Sequence, residues 1–147
     1  MKKIPRKKID RYLRRYYKAH DTEFQIRRFK ETPPNIYGER LNKEYGEPIT
    51  CHGYFVPSPT ELRLQELGWS KEMTDFYLKV PFVLLVESGL ANEDGTLNFS
   101  DDDLIEFPPL GLSYKISMIE FVPPFVDGVP TFIHIGGRKF TSGKTSL

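Results

Sequence analysis

Three separated groups of residues come closest to chemistry: Gly143-Lys144-Thr145 near the C-terminus, the adjacent pair Cys51-His52, and the oxygen-rich run ANEDGTLNFSDDD at 91–103. A Gly-Lys-Thr ending suits a phosphate-binding loop when a glycine stands five residues before it and a helix follows, because backbone N–H groups and the helix dipole then face the phosphates. Arg138 holds that position, Gly137 comes one residue too early, and only Ser146 and Leu147 follow Thr145. The expectation is no nucleotide site. Instead, a strand TFIHI should end in a Gly136-Gly137 turn and a polar tail.

Cys51 and His52 cannot serve each other as nucleophile and base, because neighbours on a strand point to opposite faces. His20 and His134 are remote in sequence, and structural roles are expected for all four residues. The chain lacks a G-x-S-x-G elbow, an H-E-x-x-H helix and zinc-ligand spacing, so the reading is a protein without catalytic residues, metal or cofactor. In the 91–103 run, Asn92, Asp94, Thr96, Asn98, Ser100 and Asp103 alternate as calcium ligands do. An EF-hand, however, needs glycine where Leu97 stands and a bidentate glutamate where Asp103 stands. A turn leading into a strand DLIEF is expected.

The elements that must position these residues follow from composition and pattern. A chain of 147 residues with one cysteine is long enough for a single core without a disulfide. No apolar run is long enough for a membrane span, and the basic MKKIPRKKID start lacks the apolar stretch of a secretory signal. A soluble, intracellularly made protein is expected. The net charge of +1 conceals segregation. Residues 1–30 carry twelve Lys/Arg against three Asp/Glu, residues 31–137 carry six against seventeen, and the last ten add three more cations. Such asymmetry marks a face that meets a polyanion or an acidic protein surface.

The pattern divides the chain into a basic helical arm at 1–20, a connecting region at 21–46, a β-barrel body at 47–140 and a polar tail at 141–147. In the arm, Ile9, Tyr12, Leu13, Tyr16 and Tyr17 recur at helical spacing while Lys7, Lys8, Arg11, Arg14, Arg15 and Lys18 crowd the remaining surface. So modest an apolar stripe predicts a helix that projects. TEFQIRRF reads as a short strand, and the Pro- and Gly-punctuated stretch 31–48 as a loop. ITCHGYFV, TDFYLKV, DLIEF, LSYKISMIEFV and TFIHI read as strands. SPTELRLQELG reads as a helix with Ser58 as N-cap, Pro59 in the first turn, Glu61 in a capping box and Gly68 as the stop. PFVLLVESG reads as a second short helix, and Asp127-Gly128 as a tight turn. The fold class expected is mainly β, a small β-barrel with short helices and an N-terminal basic helical arm. Ile105, Tyr114, Ile116, Ile119 and Phe132 should lie in or against its core.

The run from VPFVLLVESGL through NEDGTLNFSDDDLIEF to YKISMIEFVPPFVDGVPTFIHIGGRK resembles the head-closure, or head-completion, neck proteins of tailed bacteriophages. The resemblance is one of strand spacing over about sixty residues. It is carried by Asp103, Ile105 and Glu106 on one strand and by Tyr114, Ile116 and Ile119 on the next; the basic arm departs from the minimal barrel. It implies a structural virion protein of the neck, assembled in the host cytoplasm as a homo-oligomeric ring that seals packaged DNA and offers a platform to the tail. Its partners would be portal or adaptor and tail-side neck proteins, with contact to packaged DNA and none to membrane. On this reading Arg11, Arg14, Arg15 and Lys18 meet an acidic neighbour while Ile9, Leu13 and Tyr17 pack along one side. The alternative is a nucleic-acid-binding barrel that places the basic helix on phosphates.

Overall fold

A computed structural model describes residues 6–30, 44–126 and 128–139, with side chains at all of these except 6, 17–20, 30 and 44. In chain order the elements are α1 (Arg6–His20), β1 (Thr22–Arg27), β2 (Phe29–Lys30), β3 (Glu44–Tyr45), β4 (Ile49–Val56), α2 (Glu61–Glu66), β5 (Tyr77–Pro81), α3 (Phe82–Ser88), β6 (Leu104–Phe107), β7 (Leu112–Val126) and β8 (Val129–Lys139). Six strands close into an antiparallel barrel in the order β1-β4-β5-β8-β7-β6, and β2 pairs with β3 in a separate two-stranded ribbon. The expected class, a mainly β barrel with short helices and an N-terminal helix, is the one observed.

Alternation decides which side chains fill the barrel. Phe24 and Ile26 of β1, Leu78 and Val80 of β5, Ile105 and Phe107 of β6, Tyr114 and Ile116 of β7, and Ile133 and Ile135 of β8 are buried together. Ile119 and Phe132 pack against that core while remaining partly exposed. Aromatic rings occupy much of the interior: Phe55 stacks on Phe107 at 3.8 Å between centroids, and Phe76 lies 4.4 Å from Tyr114. Such contacts add about 0.5–1.5 kcal/mol each beyond the area they bury.

Three local expectations are corrected. The boundary at residue 47 does not hold, because β1 lies within the expected connecting region yet pairs with β4 on one side and β6 on the other. Without it the barrel would have two open edges. At α2 the capping hydroxyl belongs to Thr60, which accepts from the Arg63 N–H at 3.2 Å, so the helix starts two residues later than Ser58 would place it. Gly68 does end it, at φ 79°.

The third correction concerns Gly136-Gly137, which does not turn. β8 runs through the pair to Lys139, and both glycines are buried. A Cβ on Gly137 would lie 2.5 Å from the Lys115 carbonyl oxygen and 2.7 Å from the Phe76 ring, and one on Gly136 would lie 2.6 Å from the Thr74 hydroxyl. These residues are glycine because another backbone and a ring occupy the space. The register of β7 against β8 shifts between Ile116 and Met118, opposite the pair. The crossing segment is tied there: Thr74 Oγ1 accepts from the Gly137 N–H at 2.9 Å and donates to the Phe76 carbonyl at 2.6 Å, while the Asp75 N–H donates to the Gly137 carbonyl at 2.8 Å.

Adding one methyl group at this crossing should strain backbone on both sides. Overpacking of a dense core costs about 1–3 kcal/mol, so Gly137→Ala is expected to lower the melting temperature by several degrees. Thermal denaturation followed by circular dichroism checks this, and an unchanged midpoint would show that β7 can yield at Lys115.

Candidate interaction surface

α1 lies along the barrel and does not project. Leu13 is buried in the main core, Ile9 packs against it, and the helix contacts β4, β5 and α3. Two aliphatic side chains suffice because α3 and β4 offer them an apolar bed. The next residue on the stripe, Tyr17, sits in the helix with Lys18, and the side chains of both lie outside the described residues. Of the other residues expected to meet a partner, Arg14 forms an ion pair with Glu87 of α3 within the same chain. An intermolecular role for Arg14 would compete with this pair. Arg11 and Arg15, with Lys7 and Lys8, are exposed.

Helical spacing then divides the rest of α1 into two flanks beside the Ile9–Leu13 stripe. On one flank Tyr12 and Tyr16 stack at 6.0 Å between centroids, 65% and 46% exposed. On the other, Asp10 and Arg14 form the wall of a groove of about 460 Å³. Its remaining walls are Phe82, Val83, Val86 and Glu87 of α3, Glu93, and Val126 and Val129 at the end of the β7–β8 hairpin. The hairpin reaches this position because β7 and β8 continue beyond their pairing with β6 and β5. Its turn meets the turn at Gly95, where a Cβ would lie 3.1 Å from the Gly128 carbonyl oxygen. Three carboxylates and one guanidinium share the lining with five apolar side chains.

The oxygen-rich run folds as the expected turn. Asp94 Oδ1 accepts from the Thr96 N–H at 3.0 Å, Asn92 Nδ2 donates to Thr96 Oγ1 at 2.8 Å, and Asn98 Nδ2 donates to the Gly89 carbonyl at 3.0 Å. The bonds from Thr96 hold the Asp94 carboxyl below its ordinary value. Asp103 is buried, its two oxygens accepting from the Phe29 N–H at 2.6 Å and the Ser100 N–H at 2.7 Å. One carboxylate thus fastens the start of the β2–β3 ribbon to the turn before β6. Glu93, Asp94, Asp101 and Asp102 are exposed and give this end of the barrel its negative charge.

Among the described residues the candidate catalytic side chains Cys51, His52 and His134 are not brought together, and the side chain of His20 lies outside the described residues. Cys51 is buried in the main core beside the Phe24 register position, while His52 is half-buried on the other face of β4. His134 joins a second, smaller core roofed by α2, in which Leu64, Trp69 and Tyr77 are buried. His134 Nε2 lies 3.0 Å from Tyr77 Oη, and Trp69 Nε1 donates to Glu120 Oε2 at 2.8 Å. Burial pushes Tyr77 up to about 12 and His134 below its ordinary value, so both rings are neutral near pH 7. Lys144 and Thr145 lie outside the described residues.

No family model, curated protein or solved structure matches the chain. Among the described residues, no helix is long and apolar enough to cross a membrane. The groove was not foreseen from sequence. Its one available signal is the five-residue run FVLLV in α3, too apolar for a helix that buries a single face.

The small core sets an acid limit. Burial lowers His134, Glu120 opposes that shift, and Lys79 and Arg63 reinforce it. The unfolded chain therefore takes up a proton near 6.5 while the native state still excludes it, so stability falls as pH drops from about 6.5. Urea denaturation of wild type and His134→Gln across that range should show wild type losing stability relative to the variant on acidification. A pH-independent difference would remove His134 from the account.

Proposed function

We propose that this protein is a structural subunit of the neck of a tailed bacteriophage, one copy of a ring that lies between portal and tail, closes the DNA channel and gives the tail its platform. The observation that carries the reading is the segregation of charge on a rigid barrel: exposed Lys7, Lys8, Arg11 and Arg15 along α1, against exposed Glu93, Asp94, Asp101 and Asp102 on the turns. Two unlike patches on one body favour heterologous contacts, in which one surface meets a different surface on the next copy and closes into a ring if the rotation permits. The closed barrel is also the fold that the resemblance in residues 80–139 implies.

One observation favours a second reading. The Tyr12–Tyr16 stack among exposed cations resembles a platform for bases, as a nucleic-acid-binding barrel would use it. The acidic turns oppose it by repelling a phosphate backbone that extends past α1.

The two readings separate cleanly in solution and in particles. On the neck reading, native mass spectrometry should find a discrete multimer, and particles lacking the protein should be heads without tails that lose packaged DNA. A protein that stays monomeric at micromolar concentration and binds random DNA with a steep salt dependence would replace this reading with the second.

A further inference from the structure

The two flanks of α1 complement each other. One presents Tyr12 and Tyr16 beside exposed Lys8 and Arg15, with exposed Arg11 next to them on the outward face of the helix; the other borders a groove with an apolar floor of Val83, Val86, Val126 and Val129 and with Glu93 exposed at its rim. Apolar rings flanked by cations match an apolar floor flanked by carboxylates, both in polarity and in sign. The flanks lie on either side of the buried Ile9–Leu13 stripe, so a single copy cannot bring them together. Two copies can.

Resting on the ring reading above, we propose that successive copies join by seating the Tyr12–Tyr16 flank of one α1 in the groove between α1, α3 and the β7–β8 hairpin of the next. The contact is heterologous and leaves each end of the assembly with one unused flank and one unused groove, so it propagates until the ring closes. The tyrosines supply the buried area, since aromatic side chains cover much surface with few rotatable bonds. Arg11 and Arg15 set the direction, because each faces carboxylates in one orientation and the cations of another α1 in the reverse. Glu87 is already paired with Arg14 in its own chain and Asp10 is half-buried on α1, so the exposed Glu93 is the rim carboxylate through which the contact is tested.

A charge exchange tests the contact. One variant carries Arg11→Glu and Arg15→Glu, and the other Glu93→Lys and Asp94→Lys; the first should melt as wild type does, and because Asp94 accepts from Thr96 within its turn, Glu93→Lys alone is the control that keeps the turn intact. The first then has two acidic surfaces and the second two basic ones, so each alone should run as a monomer in sedimentation velocity. An equimolar mixture should recover multimers, since each surface again meets its opposite, and added salt should dissociate them as screening shortens. Oxidation of the double variant Tyr12→Cys/Val126→Cys should give a ladder of disulfide-linked chains, independent of charge. Wild-type rings that both charge variants retain, without the cysteine ladder, would overturn this contact while leaving the ring reading in place. A monomeric wild type would overturn both, and loss of DNA binding alone in the Arg11/Arg15 variant would transfer the flank to nucleic acid.

Discussion

The interior of a six-stranded barrel is narrow, and here it is filled with rings. Phe24, Phe55, Phe76, Phe107 and Tyr114 touch one another across the lumen. Strands can close around that much volume only if some positions give up their side chains. Gly53 does so where a Cβ would lie 2.9 Å from the Lys79 carbonyl oxygen, and Gly137 where it would meet Phe76 and Lys115. The shift of register opposite Gly136-Gly137 follows from the same crowding. Bulges of this kind bend a strand and increase its twist; beyond it β7 parts from β6, β8 stays paired with β5 as far as Phe132, and the two strands then run on as a hairpin whose end lies beside α3. The groove beside α1 is therefore a distant consequence of how the core is packed.

Period-two alternation exposed nearly all of the barrel to reading, because strands with one buried face must alternate. β1 was readable as a short strand but not as part of the barrel: TEFQIR contributes two core residues, Phe24 and Ile26, too few to distinguish a barrel strand from an isolated extended segment. Glycine misled in the opposite direction. At Gly136-Gly137 sequence alone cannot distinguish a glycine required for a turn from one required because a neighbouring backbone lies against it. Only the partner, Lys115, decides.

The candidate surface was legible by half. Its cations were visible as composition, and the placement of Arg11 and Arg15 on an exposed side followed from helical spacing. The docking of α1 was not visible, because the bed for Leu13 is made by elements distant in sequence. Nor was the intrachain use of Arg14. An ion pair at this degree of exposure contributes about 1 kcal/mol or less, so Arg14–Glu87 orients α1 more than it secures it. Burial of Leu13 and Ile9 holds the helix, and the pair fixes which flank faces the groove.

The exposed backbone of the hairpin bears on the side-chain contact proposed above. Among the described strands, β7 past Lys115 and β8 before Phe132 pair with each other and with no third strand, and edges of that kind invite strand addition by another chain. Proline stands on both: Pro123 and Pro124 on β7, and Pro130 on β8. Proline has no N–H to give a ladder, and the second register shift, between Val122 and Phe125, interrupts the pairing at the same place. Thr131 Oγ1 donates to the Pro124 carbonyl at 2.7 Å and satisfies one acceptor that the shift releases. With the edges blunted, the apolar groups the hairpin still presents, Phe121, Phe125 and Val126, lie on its faces. A neighbour that meets this end of the barrel must therefore be held by matching side chains, whose charge and shape specify one partner, and not by an open ladder that accepts any strand.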